Sequence, residues 1–111
     1  MLRVVIERIR PDKEQRLRAW LAELNSRAAE VRETFRDETV RAEQAYIVTG
    51  QEGPLLVYVI EADDLARGAK AFADSSHRID AEHKAMMREC LAGSLKLEPL
   101  YDVSLAPDNS R

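Results

Sequence analysis

Apolar residues recur at intervals of three, four and seven between Leu17 and Phe35, taking in Trp20, Leu21, Leu24, Ala28 and Val31. That spacing puts them on one stripe of a single amphipathic helix. Its opposite face carries Glu14–Arg18 and Glu23–Arg27 with the acid four residues ahead, the pattern of a solvated face rather than a site. Upstream, residues 2–9 are β-branched and predict a strand, with Leu2, Val4 and Ile6 sharing a face. Pro11 ends it. Asp12 is the expected N-cap of the helix, with Gln15 as capping-box partner. Arg36-Asp37-Glu38-Thr39 breaks the stripe and predicts a turn.

Residues 40–49 alternate and predict a second strand, although Gln44 falls on its apolar side. Gly50-Gln51-Glu52-Gly53-Pro54 reads as a hairpin turn. The next run, Leu55 to Ile60, is apolar on both faces and predicts a central strand with cover on each side. Asp63-Asp64 is placed to cap a short helix whose inward residues are Leu65, Ala69 and Phe72, and Ser75-Ser76 interrupts it. A third helix is expected from about Asp80 to Leu91, with Gly93 as its C′ residue. Alternation of Leu95, Leu97, Tyr101 and Val103 with polar residues predicts a last strand, and Pro99 marks it as an edge.

Strand, helix, strand, strand, split helix, strand is the order of a ferredoxin-like α+β domain. Both helical segments then lie on one face of a four-stranded antiparallel sheet. One domain is expected over residues 1–105, followed by a polar tail at 106–111. The second sheet face would expose about half of the Leu55–Ile60 strand, so a homodimer closed through that face, a dimeric α+β barrel, is expected.

Composition narrows the function classes. Of 111 residues 45% are hydrophobic and 33% charged, with a net charge of −3. No basic face suits a phosphate backbone, so nucleic acid is not an expected partner. No run approaches a membrane span and no signal peptide opens the chain, so a cytoplasmic location is expected. Cys90 stands alone on an apolar helix face and is expected to be a buried, inert thiol. Glycine-rich phosphate loops, nucleophile elbows and HExxH patterns are absent, which sets hydrolase, kinase and nucleotide-binding readings aside.

The segment Ser75-Ser76-His77-Arg78-Ile79-Asp80-Ala81-Glu82-His83 holds both histidines with two carboxylates between them. On a helical wheel His83 falls near Ile79, Met86 and Cys90, hence toward the core. A buried imidazole needs partners for both nitrogens, and Gln44, Tyr46, Tyr58 and Tyr101 on the sheet are the candidates. Three readings stand. Asp80 caps the helix with His77 in an exposed loop; or His77 or His83 acts as acid/base or orienting group in a pocket; or His77, Asp80 and His83 bind a metal. On one helix those three would spread over about 120° and some 9 Å, too far for one ion.

Arg10-Pro11-Asp12-Lys13, Glu43-Gln44-Ala45-Tyr46 and Ile79-Asp80-Ala81-Glu82-His83 together resemble a small uncharacterised family of the dimeric α+β barrel group. That family is distantly similar to stress-responsive α+β barrel proteins, cofactor-free antibiotic-biosynthesis monooxygenases, sugar mutarotases and polyketide cyclases. The resemblance implies a pocket between helices and sheet, and polyketide cyclases use a histidine and a tyrosine on comparable elements. The site candidates are His77 and His83, with Tyr46 and Tyr101 as helping tyrosines and with neither metal nor cofactor. Two functions follow from this. One is a cofactor-independent isomerase, cyclase or monooxygenase acting on a small apolar molecule; the other is a non-catalytic dimeric module that binds a ligand or has a structural role.

Overall fold

The computed structural model describes residues 1–105, and the expected polar tail lies outside the described residues. The chain runs β1 (Leu2–Ile9), a 3-10 turn (Pro11–Lys13), α1 (Glu14–Ser26), α2 (Ala28–Glu38), β2 (Val40–Gly50), β3 (Gly53–Ala62), α3 (Leu65–Asp74), α4 (Arg78–Cys90) and β4 (Leu91–Leu95). The strands form one antiparallel sheet in the order β2-β3-β1-β4. This is an α+β architecture consistent with the ferredoxin-like arrangement, and β3 and β1 are the central strands, as their apolar content predicts.

Strand register decides which side chains meet the helices. Val5 pairs with Tyr58 and Tyr58 with Ala45, while Arg3 and Glu43 flank Ile60 and Glu7 pairs with Leu56. Alternation puts all of these on one face. It is the helix-covered face, because Leu56 is fully buried in a core with Ile9, Leu17 and Cys90. Val4, Ile6, Val57, Val59, Tyr46 and Val48 share the other face. No helix among the described residues covers it, and Val4, Tyr46 and Val48 remain exposed.

Several local expectations are corrected. The Leu17–Phe35 stripe is carried by two helices, not one. Ser26 Oγ bonds back to the Glu23 carbonyl at 2.7 Å, and the Arg27 N–H is shared between Glu23 and Leu24, so the ladder opens at Arg27. The Arg27 guanidinium spans the break, bonding Glu23, Glu30 and, on α4, Glu82. Because only one residue leaves the helix, the stripe keeps its phase. Asp12 does not cap α1. Lys13 occupies that position without a side-chain bond, because Pro11–Lys13 forms its own 3-10 turn. The capping box with Gln15 is therefore not formed.

The predicted turn at 36–39 is mostly helix. α2 runs through Glu38, and Thr39 ends it in the left-handed region at φ 58°. Thr39 Oγ1 accepts from the Asp64 N–H at 3.0 Å, and the Thr39 carbonyl accepts from the Asp63 N–H at 2.9 Å. The exit from α2 is thereby fastened to the start of α3, where Asp64 is the N-cap and accepts from the Arg67 N–H as expected.

The last strand lies earlier than alternation indicated. β4 follows α4 directly, and Gly93, at φ 122°, sits in an irregular register against Glu7–Ile9 rather than at a helix C′ position. Residues 96–105 have no strand, so Pro99 is not an edge-strand residue.

α2 and α3 approach so closely that a Cβ at Gly68 would stand 2.6 Å from the Glu38 carbonyl oxygen. Gly68→Ala should cost about 1–3 kcal/mol through forced separation of the two helices. Chemical denaturation reads that cost, and an unchanged midpoint would show that the contact is not fixed.

Candidate functional site

His83, on the inward face of α4, has partners for both ring nitrogens. The Trp20 indole N–H donates to Nδ1 at 2.9 Å, and Tyr58 Oη lies 3.0 Å from Nε2. An indole nitrogen only donates, so Nδ1 must be an acceptor and the proton of the neutral ring resides on Nε2. That proton is directed at Tyr58 Oη, which leaves the phenolic hydrogen free to turn elsewhere. Its one other hydrogen-bond partner among the described residues is the weak acceptor Met87 Sδ at 3.8 Å. Burial pushes the His83 pKa down, with Asp80 pulling weakly the other way. Burial, then the charges of Glu43 and Glu7, pushes the Tyr58 phenol up. The pair therefore rests as a neutral imidazole and an un-ionised phenol.

Both side chains line a cavity of about 490 Å³ between the helices and the inner sheet face. That is the size of a small-molecule site. Its apolar wall includes Leu24, Val31, Phe35, Ile60, Phe72 and Met87. A second recess of about 520 Å³, between α1–α2 and the edge strand β2, shares Phe35, Glu43 and Tyr58 with it.

Three carboxyl groups face the same cavity: Glu38, Glu43 and Asp80. Glu38 is only 8% exposed. Burial raises its pKa to about 7, and Asp80, Glu43 and Asp37 add to the rise against a smaller opposing effect of His77. Glu43 is raised by burial and then by Asp80. By surface area Glu43 is exposed, yet the surface it keeps faces a recess walled by protein, which accounts for its desolvation. Asp80 is buried and accepts from Ser75 Oγ at 2.6 Å.

The other expected site residues lie elsewhere. His77, not Asp80, is the N-cap residue of α4, and its Nε2 pairs with Asp37 Oδ2 at 2.7 Å outside the cavity. Hydrogen bonding to Asp37 holds this imidazole above its usual pKa. Tyr46 is on the uncovered sheet face, donating to Gln44. Tyr101 follows β4 and is 87% exposed. The Asp80 carboxyl at the third helical position serves Ser75, whose Oγ accepts the His77 N–H at 3.1 Å. His77, Asp80 and His83 thus point to three different partners, and no three His, Cys, Asp or Glu among the described residues are gathered to hold a metal. Cys90 is fully buried, and burial raises its thiol pKa.

Trp20 and Glu38 are the members of this cluster that the sequence does not single out. A signal for Glu38 was present, since Val31, Thr34, Phe35 and Glu38 continue the inward spacing by one more turn. Unfolded, Glu38 would titrate near 4.5 rather than about 7, so between those values the folded chain binds more protons and loses stability as pH rises. Glu38→Gln should therefore be about 1–3 kcal/mol more stable than wild type near pH 8. The gain should vanish as pH falls toward 4.5, the ordinary glutamate value. Urea melts across that range give the comparison.

Among the described residues no helix is long and apolar enough to cross a membrane. No curated protein and no solved structure matches the chain. Residues 2–111 match the model of a family of unknown function, DUF6176. The match takes in the strand, cavity and histidine segments alike, and the chain belongs to that family.

Proposed function

We propose that this chain is a cofactor-independent enzyme, of isomerase, cyclase or monooxygenase type, acting on a small, largely apolar, carbonyl-bearing molecule. The observation that carries the proposal is the hydrogen-bonded His83–Tyr58 pair in the wall of an apolar cavity. With its oxygen engaged by the His83 Nε2–H, Tyr58 can turn its own hydrogen to a ligand oxygen. A neutral donor fixed in a desolvated site stabilises an oxyanion as it forms, as in enolisation. His83 acts here as the orienting group, and Glu38, half ionised near neutrality, is the nearest match to a proton acceptor.

Exchange of α-protons for deuterium in cyclohexanone or phenylacetone, followed by NMR in heavy water, tests this reading. Wild type should accelerate exchange over buffer, and Tyr58→Phe, which keeps the ring, should lose about 10–1000-fold of that acceleration. Exchange equal to buffer, or undiminished in Tyr58→Phe, would favour the non-catalytic binding module, in which His83 serves only to join α1, α4 and the sheet.

The working form in this proposal is a homodimer closed through the uncovered sheet face. Tyr46, 51% exposed, and Val48, 47% exposed, lie on it with Val57 and Val59 between them and Val4, and a monomer rarely leaves such an apolar surface in water. Val57→Lys places a charge at the centre of that face. Native mass spectrometry should show a dimer for wild type and a monomer for the variant. A monomeric wild type would remove the barrel from the proposal.

A further inference from the structure

We infer that the ligand of this cavity carries a protonated nitrogen, a small apolar ammonium, seated against Glu38 and Glu43. The inference rests on the proposed small-molecule reading of the cavity and adds the charge of its occupant. It begins from one buried side chain. Glu38 is 8% exposed, lines the cavity, and has no hydrogen-bond or ion-pair partner among the described residues. Its carboxyl is not sealed from the cavity, since no buried polar side-chain atom is left without a partner. What it faces is open cavity space.

The charges that act on Glu38 are mostly negative. Asp80 comes from α4, Glu43 from β2 and Asp37 from α2 itself, and all three raise it electrostatically. From α3, Gly68 brings only backbone against it. His77 is the single opposing charge, and it is paired with Asp37. Arg3, Lys84 and Arg88 also line the cavity, but none of them pairs with Glu38 or Glu43 among the described residues. Lys84 donates to the Ala73 carbonyl and lies 4.8 Å from the Phe72 ring centroid. Arg3 is separated from Glu43 by the Ile60 strand, and Arg88 forms no ion pair among the described residues. Buried carboxylates are ordinarily paired with a cation. Here the pair is missing on the protein side and the space for it is an apolar, aromatic-lined cavity that suits the organic body of an amine.

Ligand-observed and protein-observed NMR with benzylammonium, benzyl alcohol and benzoate separates the charge from the shape, using the full chain. Benzylammonium should shift the Gly68, Phe72 and Met87 resonances and bind about tenfold or more tighter than benzyl alcohol, with benzoate weakest. That preference should shrink toward parity in Glu38→Gln and in Glu43→Gln. In wild type the affinity for benzylammonium should rise between about pH 6 and about pH 8 as Glu38 ionises, a readout that needs no variant. Benzyl alcohol or benzoate binding in the cavity as tightly as the amine would overturn the inference while leaving the small-molecule pocket standing. No shift at those residues with any probe would overturn both. A preference for the amine that survives the double Glu38→Gln, Glu43→Gln change would place the cation elsewhere and overturn the inference alone.

Discussion

The imidazole of His83 is the constraint on which the interior depends. It takes a hydrogen bond from Trp20 on α1 and gives one to Tyr58 on β3, while itself belonging to α4. Three elements distant in sequence are thereby held in one polar chain inside an otherwise apolar layer. Such a chain has direction, because its first member can only donate. The direction fixes the tautomer, and the tautomer determines that Tyr58 is an acceptor on one side and a donor on the other. The phenol is presented to the cavity in a definite state because a tryptophan 38 positions earlier has no acceptor atom.

Around that chain the fold keeps charge where packing alone would not. The close approach of α2 and α3 at Gly68 brings Glu38 into the interior, and the Thr39 cap holds the helix end there. A leucine in place of Glu38 would bury as well without electrostatic cost. Stability is therefore traded for a titratable group, the compromise common at sites that bind or transform a ligand.

Much of this was legible from periodicity. The stripe from Leu17 to Phe35, the central place of the Leu55–Ile60 strand and the inward turn of His83 all follow from spacing, and the structure places them accordingly. What escaped was governed by contacts that spacing does not encode. The helix break at Arg27 comes from a serine hydroxyl bonding back to its own helix. Trp20 escaped because the partners of His83 were sought on the sheet, whereas one stands on the neighbouring helix. Glu38 was lost because four polar residues in a row look like a turn when three-dimensional cover is unknown. The last strand was displaced because Ala92, Gly93 and Ser94 have poor strand propensity, while exposed Leu97, Tyr101 and Val103 alternate as a strand would.

The sheet order also governs how the chain can assemble. β2 and β3 are joined by a two-residue turn, with Gly50 opposite Gly53, and can pair as soon as both exist. β1 sits between β3 and β4, pairing Leu2 with Glu61 and Glu7 with Ser94. The strand that comes first in this sheet's chain order is thus the one that waits longest for its neighbours. Closing those long loops is the slow, entropy-limited part of such a topology. Until then β1 is an unpaired strand, and the charges of Arg3, Glu7 and Arg8 disfavour its pairing with a wrong edge.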